Sequence, residues 1–457
     1  MRILQVIHQY PPFSSQGSEL YSHHISNYLS GLGHQIGVFH LSNTTPRYPK
    51  RLEKRREAGI ILYHCIDAGA YSRVANWPNQ FLLNTFRNVL DEFDPDVVHF
   101  HNYLRLADNL VGLAKANAKA VTYTLHDFGL ICPNEHLLRE EGGLCHKNSA
   151  NFFQDCCPTF IRTSGHGGQR FADLPSLARW RTYALNYPGK HRRFLLNAAV
   201  NIAETILGSP ETTALVEKKE FFLTATANIF QDVDLFLAPS QFLRDRYVAC
   251  GIEPNKIIHL RYGMCHIQPV PRPPRRDDRL QFGFIGAFHA HKGVDLLLEA
   301  FQGLGDVATL HLHGSSFDSP ISSAHFKRSI SKNTDGVIVH GRYNNSQIGS
   351  ILAGLDAVIV PSRWYENSPL TIQEAQIAAV PVITADVGGM AELVQDGVNG
   401  RLFTCNDAYD LKRVLVSIIN HPEQLQIFQA NAPTVPKIEE QTKQLQELYT
   451  ILLSKGA

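Results

Sequence analysis

Long apolar runs are lacking in this chain of 457 residues. No stretch reaches the roughly 20 consecutive apolar residues that a helix needs to cross a bilayer, so we do not expect an integral membrane protein. The apolar run at residues 3–7 turns polar at His8, which is too soon for the apolar core of a secretory signal. We therefore expect a cytoplasmic protein.

An excess of charge of either sign is also lacking. Lys and Arg together number 43 and Asp and Glu 42, which leaves a formal net charge of +1. A protein that holds nucleic acid through a broad basic field would be more positive, so no nucleic-acid partner is expected. No short-period repeat is apparent, which excludes solenoids and propellers. Without a full G-x-G-x-x-G, a classical NAD site is disfavoured.

Short apolar runs separated by helical patterns fill both halves of the chain. A length of 457 residues exceeds what one hydrophobic core usually supports, so two domains are expected. Alternation of continuous apolar strands with helices is typical of a parallel sheet covered on both faces. The predicted fold class is α/β, with two Rossmann-like, doubly wound domains facing each other across a cleft. The predicted strands cover residues 3–7, 36–41, 60–65, 97–100, 120–125, 235–238, 257–260, 280–285, 309–313, 337–340, 357–360 and 382–385.

A segment rich in proline and charge separates the two sets of strands. It reads HIQPVPRPPRRDDR, and its closely spaced prolines deny both helix and sheet. The prediction is an N-terminal domain over residues 1–265, a linker over 266–279 and a C-terminal domain over 280–435. A final helix over 436–457 is apolar on one face, so we expect it to dock, with the N-terminal domain as the candidate surface.

The most informative motif follows the predicted strand 357–360 and reads PSRWYENSPLTIQEA. Pro369 suits the first helical position and Ser368 the N-cap, so a helix N-terminus is predicted to face the cleft. Free N–H groups at that N-terminus suit a diphosphate. Glu374 can accept both hydroxyls of a ribose, and Glu366 can reach a sugar. A solvated helix with two surface acids is the alternative.

This stretch resembles the signature of the family 4 retaining glycosyltransferases of the GT-B fold, two glutamates separated by seven residues. The resemblance covers nearly the whole chain and implies transfer of a sugar from a nucleotide diphosphate sugar to a glycan, lipid-linked or small-molecule acceptor. It implies surface polysaccharide or glycoconjugate synthesis as the context, and no cofactor for the chemistry. A phosphorylase on the same fold and a catalytically silent nucleotide-sugar-binding subunit remain as alternatives. The other matching segments, in the expected order, are MRILQVIHQYPP, GSEL, GHQIGVF, APSQFLRDRYVACGI, FGFIGAFHAHKGVDLLLEAF and VPVITADVGGMAELVQDGVNGRLF.

Roles for individual residues follow from the resemblance. Glu374 would bind the ribose, Lys292 the diphosphate and Glu366 the donor sugar, while His126 would lie near the sugar's 6-hydroxyl. The catalytic residues implied are His126, Glu366 and Lys292. The backbone that would contact sugar and phosphate belongs to Asn367, Ser368, Pro369 and Leu370.

The phosphate clamp departs from the family pattern at one position. The family usually carries an Arg after the glycine at Gly286, but this chain has Ala287. Arg363 and His291 are the candidate replacements.

Loops of the N-terminal domain supply further candidates. Gly17 and Ser18 precede a helical pattern and are predicted to present backbone N–H groups to a phosphate, with plain turn chemistry as the alternative. The candidate acceptor contacts are His8, Tyr10, His101, Asn102 and Asp127.

An insertion over about residues 132–157 carries four cysteines and has counterparts in the resembling family. Four thiolates can hold a structural zinc, with buried thiols as the alternative. The basic segment 189–196, GKHRRFLL, is a candidate for peripheral contact with the inner membrane face, with a solvated helix as the alternative. The candidate zinc ligands are Cys132, Cys145, Cys156 and Cys157.

Overall fold

The structure is a computed structural model of the chain. The predictions for Asn102, Cys156, Cys157 and the basic segment 189–196 lie outside the residues it describes. The described residues are 1–14, 17–42, 50–66, 79–101, 109–132, 135–139, 143–146, 222–265, 267–268, 270–274, 277–314 and 335–455.

The sheet of the N-terminal domain has eight strands in the order β3-β4-β2-β1-β5-β6-β7-β8. Every neighbouring pair is parallel except β3 with β4. Because β1 lies between β2 and β5, the winding reverses there, and the loops after β1 and β5 open into a crevice. The strands are β1 (Arg2–Ile7), β2 (Gln35–Ser42), β3 (Arg51–Glu57), β4 (Ile60–Ile66), β5 (Val97–Phe100), β6 (Ala120–Thr124), β7 (Leu235–Ala238) and β8 (Ile257–His259).

The antiparallel edge strand β3 was not predicted, and an all-parallel sheet was wrong at this edge. Its residues RLEKRRE are almost all exposed, so no apolar run marks it in the sequence. An edge strand pairs on one side only, and charged side chains there discourage pairing with another chain.

Helices cover the faces of this sheet. Side chains cap two of them: Asn79 accepts a hydrogen bond from the backbone N–H of Leu82, and Ser240 accepts one from that of Leu243. The apolar face of the helix that follows Asn79 is buried against the sheet. The helices are α1 (Gly17–Gly31), α2 (Gln80–Phe93), α3 (Leu110–Asn117), α4 (222–232) and α5 (Gln241–Ala249).

The sheet of the C-terminal domain has six strands, all parallel, in the order β11-β10-β9-β12-β13-β14. The winding reverses at β9, next to β12, so the loops after these two strands meet at one edge. The strand β14 was not predicted because only its two end residues are buried. The strands are β9 (Leu280–Ile285), β10 (Ala308–His313), β11 (Val337–Gly341), β12 (Ala357–Val360), β13 (Val382–Ala385) and β14 (Gly400–Phe403).

The last helix of the chain returns to the N-terminal domain and packs on α1. Gln441 Nε2 donates a hydrogen bond to the Tyr21 hydroxyl at 2.7 Å, and the Tyr449 hydroxyl lies 2.6 Å from His99 Nδ1. The side chain of Tyr449 is fully buried. No helix in the described ranges is both long and apolar enough to span a membrane. The remaining helices are α6 (Val294–Phe301), α7 (Ile348–Ala353), α8 (Leu370–Ile377), α9 (Gly388–Leu393), α10 (Ala408–Asn420), α11 (Glu423–Ala430) and α12 (Ile438–Lys455).

Candidate active site

The loop between β12 and α8 holds the Glu366 carboxylate in a buried position. Lys292 Nζ and Ser362 Oγ each donate a hydrogen bond to Glu366 Oε1 at 2.6 Å. Burial alone would raise the pKa of this carboxyl, but the charge and hydrogen bond of Lys292 outweigh it and hold the pKa below its ordinary value. Glu366 is therefore an ionised acid paired with a lysine from the loop after β9.

Two glycines at the start of α9 shape this loop. The backbone N–H of Gly389 donates to the carbonyl of Glu366 at 2.8 Å. A Cβ at Gly389 would lie 1.7 Å from the carbonyl oxygen of Asn367, so only glycine permits this approach. Gly388 has a φ of 61°, in the left-handed region that favours glycine. The motif VGGMAEL thus supports the glutamate loop through backbone contact.

Helix α8 begins one residue later than predicted, and the N-cap assigned to Ser368 was wrong. Pro369, with ψ of 124°, takes the cap position, and no side chain caps the helix. Ser368 Oγ accepts instead from Gln373 Nε2 at 3.1 Å. The backbone N–H groups of Leu370 and Thr371 have no acceptor within the described ranges. They remain directed outward at the positive end of the helix.

Glu374 lies in the second turn of α8, half-buried. Its carboxylate has neither a hydrogen-bond donor nor an ion-pair partner in the described part of the chain. Burial raises the pKa of this carboxyl to about 7. A carboxylate in such a place is stabilised by a ligand that supplies hydrogen-bond donors.

Neither candidate replacement offers an unpaired positive charge beside Lys292. Arg363 Nη1 lies 3.0 Å from Asp295 Oδ2 in an ion pair. Burial, with His136 and Lys292 nearby, lowers the pKa of His291 to about 2, so its ring is neutral at neutral pH. Lys292 Nζ also lies 5.6 Å above the ring of Trp364. Of the three side chains, Lys292 is the one that combines a positive charge with direct contact to Glu366.

His126 stands just beyond the end of β6 and joins the two domains. Its carbonyl oxygen accepts a hydrogen bond from Asn367 Nδ2 at 2.7 Å. Its Nδ1 lies 2.5 Å from the Tyr262 hydroxyl and its Nε2 lies 3.2 Å from His101 Nδ1. Burial lowers the pKa of His126 to about 3, so the ring is neutral. Both ring nitrogens are engaged, so a bond to a sugar hydroxyl requires one of these contacts to open.

Two predicted acceptor contacts, His101 and Tyr10, have buried side chains. His101 is fully buried, and its Nε2 lies 2.5 Å from Gln5 Oε1. Tyr10 is 2% exposed, and its hydroxyl lies 3.2 Å from His23 Nδ1. A third candidate, Asp127, accepts a hydrogen bond from the N–H of Gly129 at 2.7 Å, as in an Asx turn. The sequence indicated that these residues lie at strand ends, but it did not indicate which of their side chains point into the protein.

A buried carboxylate in the first turn of α1 was missed. Glu19 is 1% exposed, and its Oε1 lies 3.2 Å from Nε2 of His8. Ser14 and Ser18 each donate a hydroxyl to it at 2.9 Å. Burial opposes ionisation of Glu19, but the hydrogen bonds and charge of His8 outweigh it and bring the pKa to about 2. The feature of the sequence that could have pointed to Glu19 is the acidic residue of the motif GSEL.

The first loop also meets the start of α8. A Cβ added at Gly17 would lie 3.6 Å from Cδ1 of Leu370. The loop predicted to hold a phosphate therefore faces the helix N-terminus with the unbonded N–H groups. The side chain of Ser18 is directed to Glu19.

The described part of the cysteine insertion contacts the glutamate loop. The ring of His136 lies 4.5 Å from that of Trp364, and the Tyr365 hydroxyl lies 3.0 Å from His146 Nδ1. Cys132 is buried and Cys145 is half-buried. Because the other two candidate ligands lie outside the described residues, the zinc site stays a prediction.

Comparison with known proteins matches each domain to a family model. Residues 15–153 match the model "Glycosyltransferase Family 4", and residues 270–435 match "Glycosyl transferases group 1". The second match contains the whole Glu366 to Glu374 motif and Lys292. The first contains His126 and the loop with Glu19.

Curated relatives match over part of their length. A protein in the cps region of Klebsiella pneumoniae is 26% identical over 215 residues, 45% of this chain and 57% of the relative. An uncharacterised glycosyltransferase of Methanocaldococcus jannaschii is 31% identical over 140 residues, 31% of this chain and 38% of the relative. The chain therefore spans between a third and three fifths of the length of these two relatives.

Among solved structures, Anabaena HepE in complex with UDP and glucose has the same fold. The TM-score is 0.62 at 15% identity, covering 98% of this chain and 99% of HepE. The predicted fold class is thereby confirmed as GT-B. With a glycosyltransferase family match in each of its two domains, this chain is a GT-B glycosyltransferase.

Proposed function

We propose that this protein transfers a sugar, with retention of configuration, from a nucleotide diphosphate sugar to a glycan, lipid-linked or small-molecule acceptor. The observation that carries the proposal is one cluster on the loops after β9 and β12. It combines the Lys292–Glu366 pair, whose carboxylate is buried, with the N–H groups at the start of α8 and the Glu374 carboxylate, which have no partners among the described residues.

The diphosphate lies at the start of α8. The N–H groups of Leu370 and Thr371 point toward it, and a helix N-terminus favours negative charge. Lys292 adds a full positive charge from the loop after β9. Departure of the nucleotide builds negative charge on the phosphate, so donors already fixed in place stabilise the transition state most.

Glu374 binds the ribose. Its two oxygens can accept from two vicinal hydroxyls, and the described residues supply no competing donor. Without nucleotide, burial keeps the pKa of this carboxyl at about 7, so it is partly protonated at neutral pH. Hydroxyl donors favour the ionised form, so donor binding and ionisation of Glu374 support each other.

Glu366 faces the donor sugar while bound to Lys292. Since the Lys292 ammonium already contacts Glu366 Oε1 at 2.6 Å, the incoming phosphate shares that ammonium with the glutamate. This links the position of the sugar to the position of the phosphate. The leaving phosphate itself takes the acceptor proton, so this scheme requires no bound cofactor and no separate protein base.

The acceptor enters from the N-terminal domain. Glu19, in the first turn of α1, lies 3.2 Å from Nε2 of His8, and the start of α1 lies against the start of α8 through Gly17 and Leu370. His126, held by Tyr262, lies between the two domains and positions the sugar. The Klebsiella relative from the cps region supports surface polysaccharide synthesis as the context. The location we propose is the cytoplasm or the inner membrane face.

Nucleotide release tests the proposal directly. The full chain is incubated with UDP-, GDP-, ADP- and dTDP-sugars, and the nucleotide set free is measured. We expect slow hydrolysis of one donor by the wild type, loss of that hydrolysis in Glu374→Ala, and no loss in Glu299→Ala, an exposed acid on α6. Donor binding without turnover in the presence of candidate acceptors would instead favour a silent binding subunit.

A phosphorylase on the same fold would behave differently. It would consume free phosphate and form a sugar phosphate without any nucleotide. Formation of a sugar phosphate from a glycan and inorganic phosphate would therefore refute the transferase proposal.

A further inference from the structure

Three histidines lie together on the outer strands of the C-terminal sheet. His311 and His313 are two residues apart on β10, so both side chains project from the same face of the sheet. His340 belongs to the neighbouring edge strand β11. These side chains, the histidine trio, belong to strands and not to the loops that hold Glu366 and Glu374.

A break in the strand register sets the position of His340. Leu312 pairs with Val339, but His313 pairs with Gly341, so His340 is an extra residue in β11. Gly341 has a φ of 79°, which lets the chain resume pairing after it. Bulges are rare between parallel strands, and they redirect side chains.

The three imidazoles converge. His311 Nδ1 lies 2.8 Å from His340 Nε2, and the rings of His313 and His340 stack with centroids 4.2 Å apart. One nitrogen from each ring lies within 4.8 Å of the other two. Zn–N bonds of about 2.0–2.1 Å place the ligand nitrogens of a tetrahedral zinc about 3.3 Å apart. The rings now stack nearly parallel, so the side chains must rotate for their in-plane lone pairs to meet at one ion.

Gln281 on β9 orients the first of these rings. His311 Nε2 lies 2.7 Å from Gln281 Oε1, an acceptor, so the proton of His311 sits on Nε2. Its Nδ1 then presents a lone pair to the centre of the trio. A hydrogen bond from the second ring nitrogen is the usual support of a metal-binding histidine.

We propose that His311, His313 and His340 bind one divalent transition-metal ion, with Zn²⁺ as the best fit and water completing the coordination. Imidazole nitrogen suits Zn²⁺, Ni²⁺ and Cu²⁺, whereas Mg²⁺ and Ca²⁺ prefer oxygen ligands, and the trio includes no carboxylate. His340 is exposed, so water reaches the open position. The site differs from the cysteine cluster predicted in the N-terminal domain.

Zinc titration of the full chain tests this site. Calorimetry with Zn²⁺ alone counts the ions bound by the wild type and by His311→Ala, His340→Ala and Gln281→Ala. We expect each histidine variant to bind one ion fewer than the wild type, and Gln281→Ala to bind that ion about 10- to 100-fold more weakly. Co²⁺ bound in place of Zn²⁺ should give a visible absorption band that the histidine variants lose.

His421→Ala is the matched control, because His421 is an exposed histidine outside the trio. It should bind zinc as the wild type does. Circular dichroism with a chelator present verifies that each variant is folded, and the exposed His340 makes His340→Ala the safest of them. The proposal is overturned if the wild type binds no zinc. It is also overturned if both histidine variants bind as many ions as the wild type, because the metal would then lie elsewhere, as at the cysteines.

Discussion

Replacement of Glu374 by Gln should stabilise the protein without ligand and weaken its binding of the donor. The carboxyl of Glu374 has its pKa raised from 4.5 to about 7, because burial disfavours its charged form. Folding therefore becomes less favourable as the pH rises from about 4.5 to about 7, and the loss is complete above that range. Gln has the same shape and no charge, so it avoids this loss.

The size of the effect follows from the shift. A pKa change from 4.5 to about 7 corresponds to at most about 3 kcal/mol, and less because the side chain is only half-buried. For a domain of this size that is at most about 6–12 °C in melting temperature. The gain should be about a quarter of its full size at pH 5 and almost fully present at pH 8.

The opposite effect is expected on the donor. Hydrogen bonds from two ribose hydroxyls to a charged acceptor contribute about 1.5–3 kcal/mol, so Glu374→Gln should bind the donor about 10- to 150-fold more weakly. A nucleotide diphosphate sugar is the right probe, because its esterified phosphates lack the second phosphate ionisation near about pH 6.

Thermal melts at pH 5 and pH 8, with and without donor, measure both effects. Glu299→Gln, on the exposed face of α6, serves as the control. An equal melting temperature for Glu374→Gln and wild type at pH 8 would refute the reasoning, as would a gain of the same size at pH 5. So would a gain that the Glu299 variant reproduces.

Three further substitutions have expected outcomes. Lys292→Ala leaves the Glu366 carboxylate buried without its lysine. Above about pH 4.5 the variant should lose about 1–3 kcal/mol of unfolding free energy in denaturant melts, and less at lower pH, where Glu366 is protonated. It should also release nucleotide about 100-fold more slowly. Gly389→Ala should lower the melting temperature and donor affinity because its Cβ meets a backbone carbonyl, whereas Gly31→Ala, with nothing within 4 Å, should change neither. Glu19→Gln should cost about 1–3 kcal/mol at neutral pH, a difference that shrinks as the pH falls from 4.5 toward 2; an unchanged melt at pH 7 would contradict it.

Local patterns predicted the fold where strands are apolar on both faces. A strand buried on both sides appears as a mainly apolar run, and β1, β5, β9 and β12 do so. The same rule missed β3, whose side chains are almost all exposed, and β14, which is apolar only at its ends. An edge strand pairs with one neighbouring strand only, and its place in the fold is not indicated by the residue pattern within the strand.

The candidate site was likewise predicted from the sequence only in part. Motif spacing brought Glu366, Glu374 and Lys292 into one hypothesis, and the structure places Lys292 against Glu366. The spacing did not predict that α8 starts at Leu370, because the cap depends on the backbone angle of Pro369. Nor did it predict that His101 is buried, since that depends on which elements cover the sheet end.

By itself, the sequence determined the α/β class, the two-domain organisation and the family, because these depend on residue patterns a few positions long and on motifs in order. Only the tertiary structure decided which charges meet. The contact of Lys292 with Glu366 spans 74 residues and that of His126 with Asn367 spans 241. The histidine trio likewise depends on a one-residue register shift between β10 and β11. Side chains far apart in the chain interact through packing, and packing is a property of the whole fold.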